Sequence, residues 1–138
     1  MQIPESARGV LESSALAHLV TINPDGSPQV SVVWVDVDGD ELVSAHLPEN
    51  RKVKNIRRDG RVVLSLESGR INENGLAEYL VITGTARIVE GGAVDVLRKL
   101  AKVYVGPDAD FLPGDEYPPG YLTRITVDKI GGVGPWAG

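Results

Sequence analysis

The chain has no cysteine among its 138 residues. That absence removes disulfides, thiolate metal sites and a cysteine nucleophile together. Histidine is almost as scarce: His18 and His46 stand apart, and two isolated imidazoles do not by themselves make a metal site. Aromatic residues are 5% of the chain, too few for a row of base-stacking platforms. Positive charge is in deficit, with 14 Lys and Arg against 19 Asp and Glu and a net charge of -5, so a nucleic-acid partner is not expected, because phosphate contacts need a basic face. No apolar run approaches bilayer-spanning length, and the opening "MQIPESARGV" lacks the basic flank and apolar stretch of a secretory signal. The expected location is cytoplasmic, with no membrane association. Dinucleotide-binding GxGxxG, the P-loop, GxSxG and HExxH are all missing.

What is present is ordinary for a globular protein: 42% hydrophobic and 24% charged residues. Length alone favours a single domain over 1–138. Residues 4–16 read as an amphipathic helix with Val10, Leu11 and Leu16 turned inward. "AHLVTI" is a strand closed by the Asp25-Gly26 turn. "QVSVVWVDVDGDELVSAH" is two strands around a second Asp-Gly turn, and its first strand is apolar on both faces, as in a deeply covered sheet. A helix between Pro48 and Gly60 follows, then strands over 61–68 and 77–89, the second interrupted by Gly84, where a bulge or close backbone approach is expected. "GGAVDVLRKLAKVYV" is a second amphipathic helix, with Val94, Leu97, Leu100, Ala101 and Tyr104 on one side. Residues 106–120, with four prolines and four acidic residues, form a long loop of the kind that serves as a lid, arm or interface. A last strand, "YLTRITVDKI", leads to a glycine-rich tail whose only large group is Trp136. Six strands joined mainly by hairpins, with two or three helices, predict a mainly β fold: a six-stranded antiparallel barrel with peripheral helices.

One local feature runs against the net charge. Arg51, Lys52, Lys54, Arg57, Arg58 and Arg61 crowd eleven positions of the chain, on and just after the predicted central helix. Late in a helix, positive charge complements the dipole and needs no ligand, so Lys54, Arg57 and Arg58 fit a solvated face. Early in a helix, where Asn50, Arg51 and Lys52 lie, a cation opposes the dipole and the unpaired N–H groups invite an anion. His46 closes the preceding strand beside this helix, and Ser31 and Ser44 offer strand hydroxyls. Trp34 and Tyr79 read as core or interface groups. No pair of carboxylates sits in an apolar context suited to acid–base work, and no nucleophile with its base is evident, so the pattern suits a bound cofactor that brings its own chemistry.

The run "TINPDGSPQVSVVWVDVDGDELVSAH", then "NRKVKNIRRDGRV", then "YLVITGTARI", resembles the flavin and deazaflavin oxidoreductases of the FMN-binding split-barrel type, related to pyridoxamine 5'-phosphate oxidase, and within them the actinobacterial branch that uses coenzyme F420. The resemblance runs from about residue 8 to the closing "GGVGPW". It implies that Lys52, in K-x-x-N-[LI]-x-x-D completed by Asn55, Ile56 and Asp59, contacts the cofactor's phosphate and ring region. Asn50 stands where relatives often carry Arg or Ser, so Arg51 is expected to supply the charge. Pro28, Gln29, Val30 and Ser31 would run beside the ring system, and Ser44, Ala45 and His46 would line the cofactor's side chain. A homodimer with the cofactor in its interface is implied, with Tyr79 and Trp136 reaching the partner's site. The expected activity is hydride transfer from reduced F420 to a small-molecule substrate. FMN in the same fold is the alternative cofactor, and a non-catalytic carrier of deazaflavin, tetrapyrrole or lipid is the alternative from another class.

Overall fold

The computed structural model describes residues 1–137. Its framework is one antiparallel sheet of seven strands: β1 (Ala17–Ile22), β2 (Pro28–Val33), β3 (Asp36–Asp38), β4 (Glu41–His46), β5 (Arg61–Ile71), β6 (Ala77–Glu90) and β7 (Tyr121–Val133). Three helices accompany it, α1 (Glu5–Leu11), α2 (Arg51–Arg58) and α3 (Ala93–Tyr104), and a 3-10 turn at Pro135–Ala137 closes the chain. No helix among the described residues is long and apolar enough to cross a membrane.

The strand order is β2-β1-β5-β6-β7-β4-β3. β2 and β3 therefore occupy opposite edges, although only Trp34 and Val35 lie between them in sequence. Two extended residues reach roughly 7 Å, so the sheet must curl until its edges nearly meet. That curl is the split barrel. The expected six strands become seven because the run after Val33 breaks at Trp34-Val35 and resumes as β3 on β4, where Asp36, Val37 and Asp38 pair with Val43, Leu42 and Glu41.

Alternation along the strands places the core. Leu19, Leu64, Leu66, Leu80, Ile82, Ile125 and Val127 turn into the barrel and are at most 1% exposed. α1 seals one end with Ala7, Val10 and Leu11, and Trp136 packs into the same core. Leu16, expected to face inward on this helix, lies beyond the helix end and is 49% exposed. α3 covers β4 and β7, where Ala93, Val96 and Leu97 pack on Val43, Ala45 and Leu122.

At Gly84 the β6–β7 register shifts, and a Cβ there would lie 2.6 Å from the Thr126 carbonyl oxygen, so the predicted bulge and the close approach occur together. β7 runs three residues past its predicted end because Gly131, Gly132 and Val133 keep pairing with Val81, Leu80 and Tyr79. β2 departs from expectation. It is an edge strand, and Val30 and Val32 are 63% and 53% exposed.

Candidate functional site

α2 is shorter than the interval from Pro48 to Gly60 because Asn50 caps it, its side-chain oxygen accepting from the Val53 N–H at 3.2 Å. Val53 and Ile56 anchor the helix at 0% and 3% exposure. Asn55, buried between them, donates from Nδ2 to Thr21 Oγ1 and Asn23 Oδ1, both at 3.0 Å, and lies 3.4 Å from Gln29 Oε1. The amide thus ties α2 to β1 and to the hairpin that carries β2. Both Asn50 and Asn55, marked as cofactor contacts by resemblance, have their side chains engaged within the chain.

The basic cluster divides in two. Arg57 pairs with Glu49 at 2.7 Å and Glu90 at 3.1 Å, and its guanidinium stands 5.3 Å from the centre of the Tyr121 ring. Arg58 donates to the Ile22 carbonyl, and Arg61 pairs with Asp59 at 2.7 Å. These three are structural. Lys52 has no carboxylate partner among the described residues, although it is half-buried, and burial holds its ammonium below the ordinary lysine value. Arg51 and Lys54 are exposed beside it.

Lys52 opens onto a pocket of about 240 Å³ lined by Val32, Val33, Trp34, Ala45, His46, Leu97 and Phe111. The pocket sits where the end of β2 meets the end of β4. Its floor is aromatic: Trp34 stacks on Tyr104 with centroids 5.5 Å apart and planes 9° apart, and Phe111 tilts against the same indole at 5.3 Å. Tyr104 Oη donates to the Ala15 carbonyl at 3.0 Å and accepts from the Val35 N–H at 3.1 Å, which fixes the stack. The 106–120 loop delivers Phe111 and is held by Arg98, whose Nη2 donates to the carbonyls of Leu112 at 2.7 Å and Gly114 at 2.6 Å.

His46 is 6% exposed, with Nε2 3.0 Å from Thr123 Oγ1. Burial first, and the Lys52 charge second, push its pKa down to about 4, so the imidazole is neutral at physiological pH. Ser44 is 2% exposed and shares the His46 side of β4. Ser31 Oγ is buried with no hydrogen-bond partner among the described residues, on the β2 face that also carries Gln29 and Val33. An unmet buried hydroxyl costs about 1–3 kcal/mol; Ser31 pairs with the fully buried Leu19 and is not among the residues that line the Lys52 pocket.

Of the sequence-derived site residues, the fold brings Lys52, His46 and Ala45 into one pocket and sets Ser31 and Ser44 on the adjoining strands. Pro28, Gln29 and Val30 extend along the β2 edge. Tyr79 is 42% exposed on the outer face of β6. Trp136, expected to reach a partner's site, is instead 7% exposed within this chain's own core, because β7 continues far enough to fold the tail back on α1. Trp34, read from the sequence as a core or interface group, and Leu97, read as part of a helix's apolar side, line this pocket instead, while Phe111 and Thr123 escaped the sequence reading. Phe111 carried one signal, as the sole phenylalanine in a proline-rich loop; Thr123 carried none, since its role depends on strand pairing.

The family profile described as pyridoxamine 5'-phosphate oxidase matches residues 3–133. Among solved structures, an F420 reductase is 27% identical, with a TM-score of 0.74 over 94% of this chain and 98% of that protein. An FAD-binding protein of Mesorhizobium loti is 18% identical, with a TM-score of 0.63 over 90% of this chain and 88% of its own. HupZ of Group A Streptococcus is 19% identical, with a TM-score of 0.62 over 92% of this chain and 91% of its own. These last two share the fold. No curated protein matches the sequence. With a profile match over nearly the whole chain and the split-barrel fold, the chain belongs to the pyridoxamine 5'-phosphate oxidase family, a split-barrel family of oxidoreductases that work with flavin-type cofactors.

Proposed function

We propose that the protein is an F420H2-dependent reductase acting on a small organic acceptor. The observation that carries this reading is Lys52: a half-buried cation without a carboxylate partner among the described residues, in the first turn of a helix, on the wall of an aromatic-floored pocket. Desolvating an ammonium that way is costly unless a bound anion compensates it, and the helix N-terminus adds its own attraction for negative charge. The likeness to an F420 reductase at 27% identity supports the deazaflavin over FMN. When bound, the cofactor supplies the hydride chemistry. The chain positions it. Lys52, with exposed Arg51 nearby, would hold the phosphate, the end of β2 at Val32 and Val33 would border the cofactor, and Trp34 and Phe111 would supply apolar walls.

The reading includes a homodimer. Strand register puts Val30, Val32, Val63 and Tyr79 on one outer face of β2, β1, β5 and β6, all at least 37% exposed. His18, Ser65, Glu67 and Thr83 lie among them on that face, so its apolar part is concentrated on β2, and Val30 and Val32 beside the unpaired β2 edge are suited to cover by a second copy. That cover would restore the deeply buried setting which the two apolar faces of β2 imply.

Fluorescence titration of the purified protein with F420 and with FMN, followed by turnover of reduced F420 against a panel of enones and quinones, tests the proposal. Deazaflavin binding with acceptor-dependent oxidation is the expected result. Tight FMN binding with no deazaflavin binding would replace the cofactor. Deazaflavin binding with no oxidation by any acceptor would recast the protein as a carrier.

A further inference from the structure

Thr123 lies at 0% exposure on β7, and its hydroxyl has a single hydrogen-bond partner among the described residues, His46 Nε2 at 3.0 Å. A buried hydroxyl must place its proton. If Nε2 carried the ring proton and donated to Oγ1, the threonine proton would be left without an acceptor, at about 1–3 kcal/mol. The economical arrangement has Thr123 donating to an unprotonated Nε2, which puts the imidazole proton on Nδ1. Nδ1 has no partner among the described residues and is not sealed from solvent, while the residue lines the same pocket as Lys52.

We infer that His46 is held as its Nδ1–H tautomer by Thr123 and donates a hydrogen bond into the pocket, forming with Lys52 a two-donor subsite for a ligand oxygen that bears full or partial negative charge. A phosphate oxygen or a ring carbonyl has that chemistry. The neutral ring is what makes the pair workable: an imidazolium beside the Lys52 ammonium would be repelled, and the depressed His46 pKa prevents it. Thr123 is a positioning residue, acting only through His46. This subsite deepens the cofactor reading and rests on it for the ligand's identity, but the tautomer is a property of the unliganded chain.

The two questions separate in one series of measurements. With only His18 and His46 in the chain, imidazole ¹⁵N spectra resolve each ring. The expected result between about pH 5.5 and 8, a range spanning the ordinary imidazole pKa of about 6.5, is a His46 with pyrrole-type Nδ1 and pyridine-type Nε2 and no titration. Thr123→Val should lose this single tautomer, and Thr123→Ser should keep it, a rescue that mere packing would not give. On saturation with F420, monitored independently by fluorescence, the Nδ1–H resonance should shift. A protonated Nε2 in the unliganded protein overturns the inference, and so does an Nδ1–H signal unmoved by bound F420. Failure of both F420 and FMN to bind would count against the cofactor reading while the unliganded spectra still decide the tautomer.

Discussion

At the scale of single residues, burial decides which polar groups organise the fold and which face a ligand. Asn55 looks in sequence like a motif residue for cofactor contact, yet at 1% exposure it joins Thr21, Asn23 and Gln29. Asn55→Leu should cost about 1–3 kcal/mol, since Thr21 Oγ1 is buried and loses a donor, and the loss is read as a lower urea midpoint with unchanged slope. His46 makes a prediction with a definite sign. Its folded pKa of about 4 lies below the ordinary 6.5, so the neutral ring favours the folded state. This contribution is complete above about pH 6.5 and is lost as pH falls toward 4, by about 3 kcal/mol for a shift of this size. Unfolding free energy measured from pH 7 to 4 should show that decline, and His46→Gln should flatten it; parallel curves would contradict the buried neutral ring.

Among elements, the strands and the two amphipathic helices were legible in the sequence because alternation and helical periodicity report burial directly. α2 was visible as a helix, and the burial of Val53 and Ile56 follows from their spacing. Its polar partners were not visible, because Asn55 and Thr21 meet only through pairing between distant segments. The 106–120 loop was recognisable from its prolines, whereas its attachment through Arg98 was not. Gly120 shows how tightly that loop returns: φ is +67°, and a Cβ would lie 2.5 Å from the His46 carbonyl oxygen and 2.5 Å from Ala93 Cβ. Gly120→Ala should therefore destabilise by about 2–4 kcal/mol, combining left-handed strain with overpacking, as a thermal melt would show. Arg98→Ala should release the loop with the barrel intact, giving faster proteolytic cleavage within 106–120 and a changed Trp34 emission as Phe111 leaves the indole; unchanged cleavage would mean that the loop is held by its own packing.

For the whole molecule, closure of the sheet is what assembles the site. Two residues, Trp34 and Val35, connect opposite edges of the strand order, and the pocket lies where those edges approach. Sequence pattern gave the barrel class but undercounted the strands, because β3 has only three residues and follows β2 without a turn signal. It also placed β2 deep, a reading that the single chain reverses and a second copy would restore. Sedimentation should find a dimer, and Val30→Asp with Val32→Asp should shift it toward monomer; a wild-type monomer would remove the shared interface from the account. The acidic net charge is consistent with the proposed anion site, since a half-buried Lys52 without a carboxylate partner among the described residues focuses attraction at the pocket while the acidic surface repels other polyanions. The central claim is that the Lys52 ammonium grips a negatively charged redox cofactor. Calorimetric titration of F420 into wild type and Lys52→Ala tests it most directly: the account predicts that the variant folds normally and loses about 1.5–3 kcal/mol of binding free energy, and equal affinity for both proteins would contradict it.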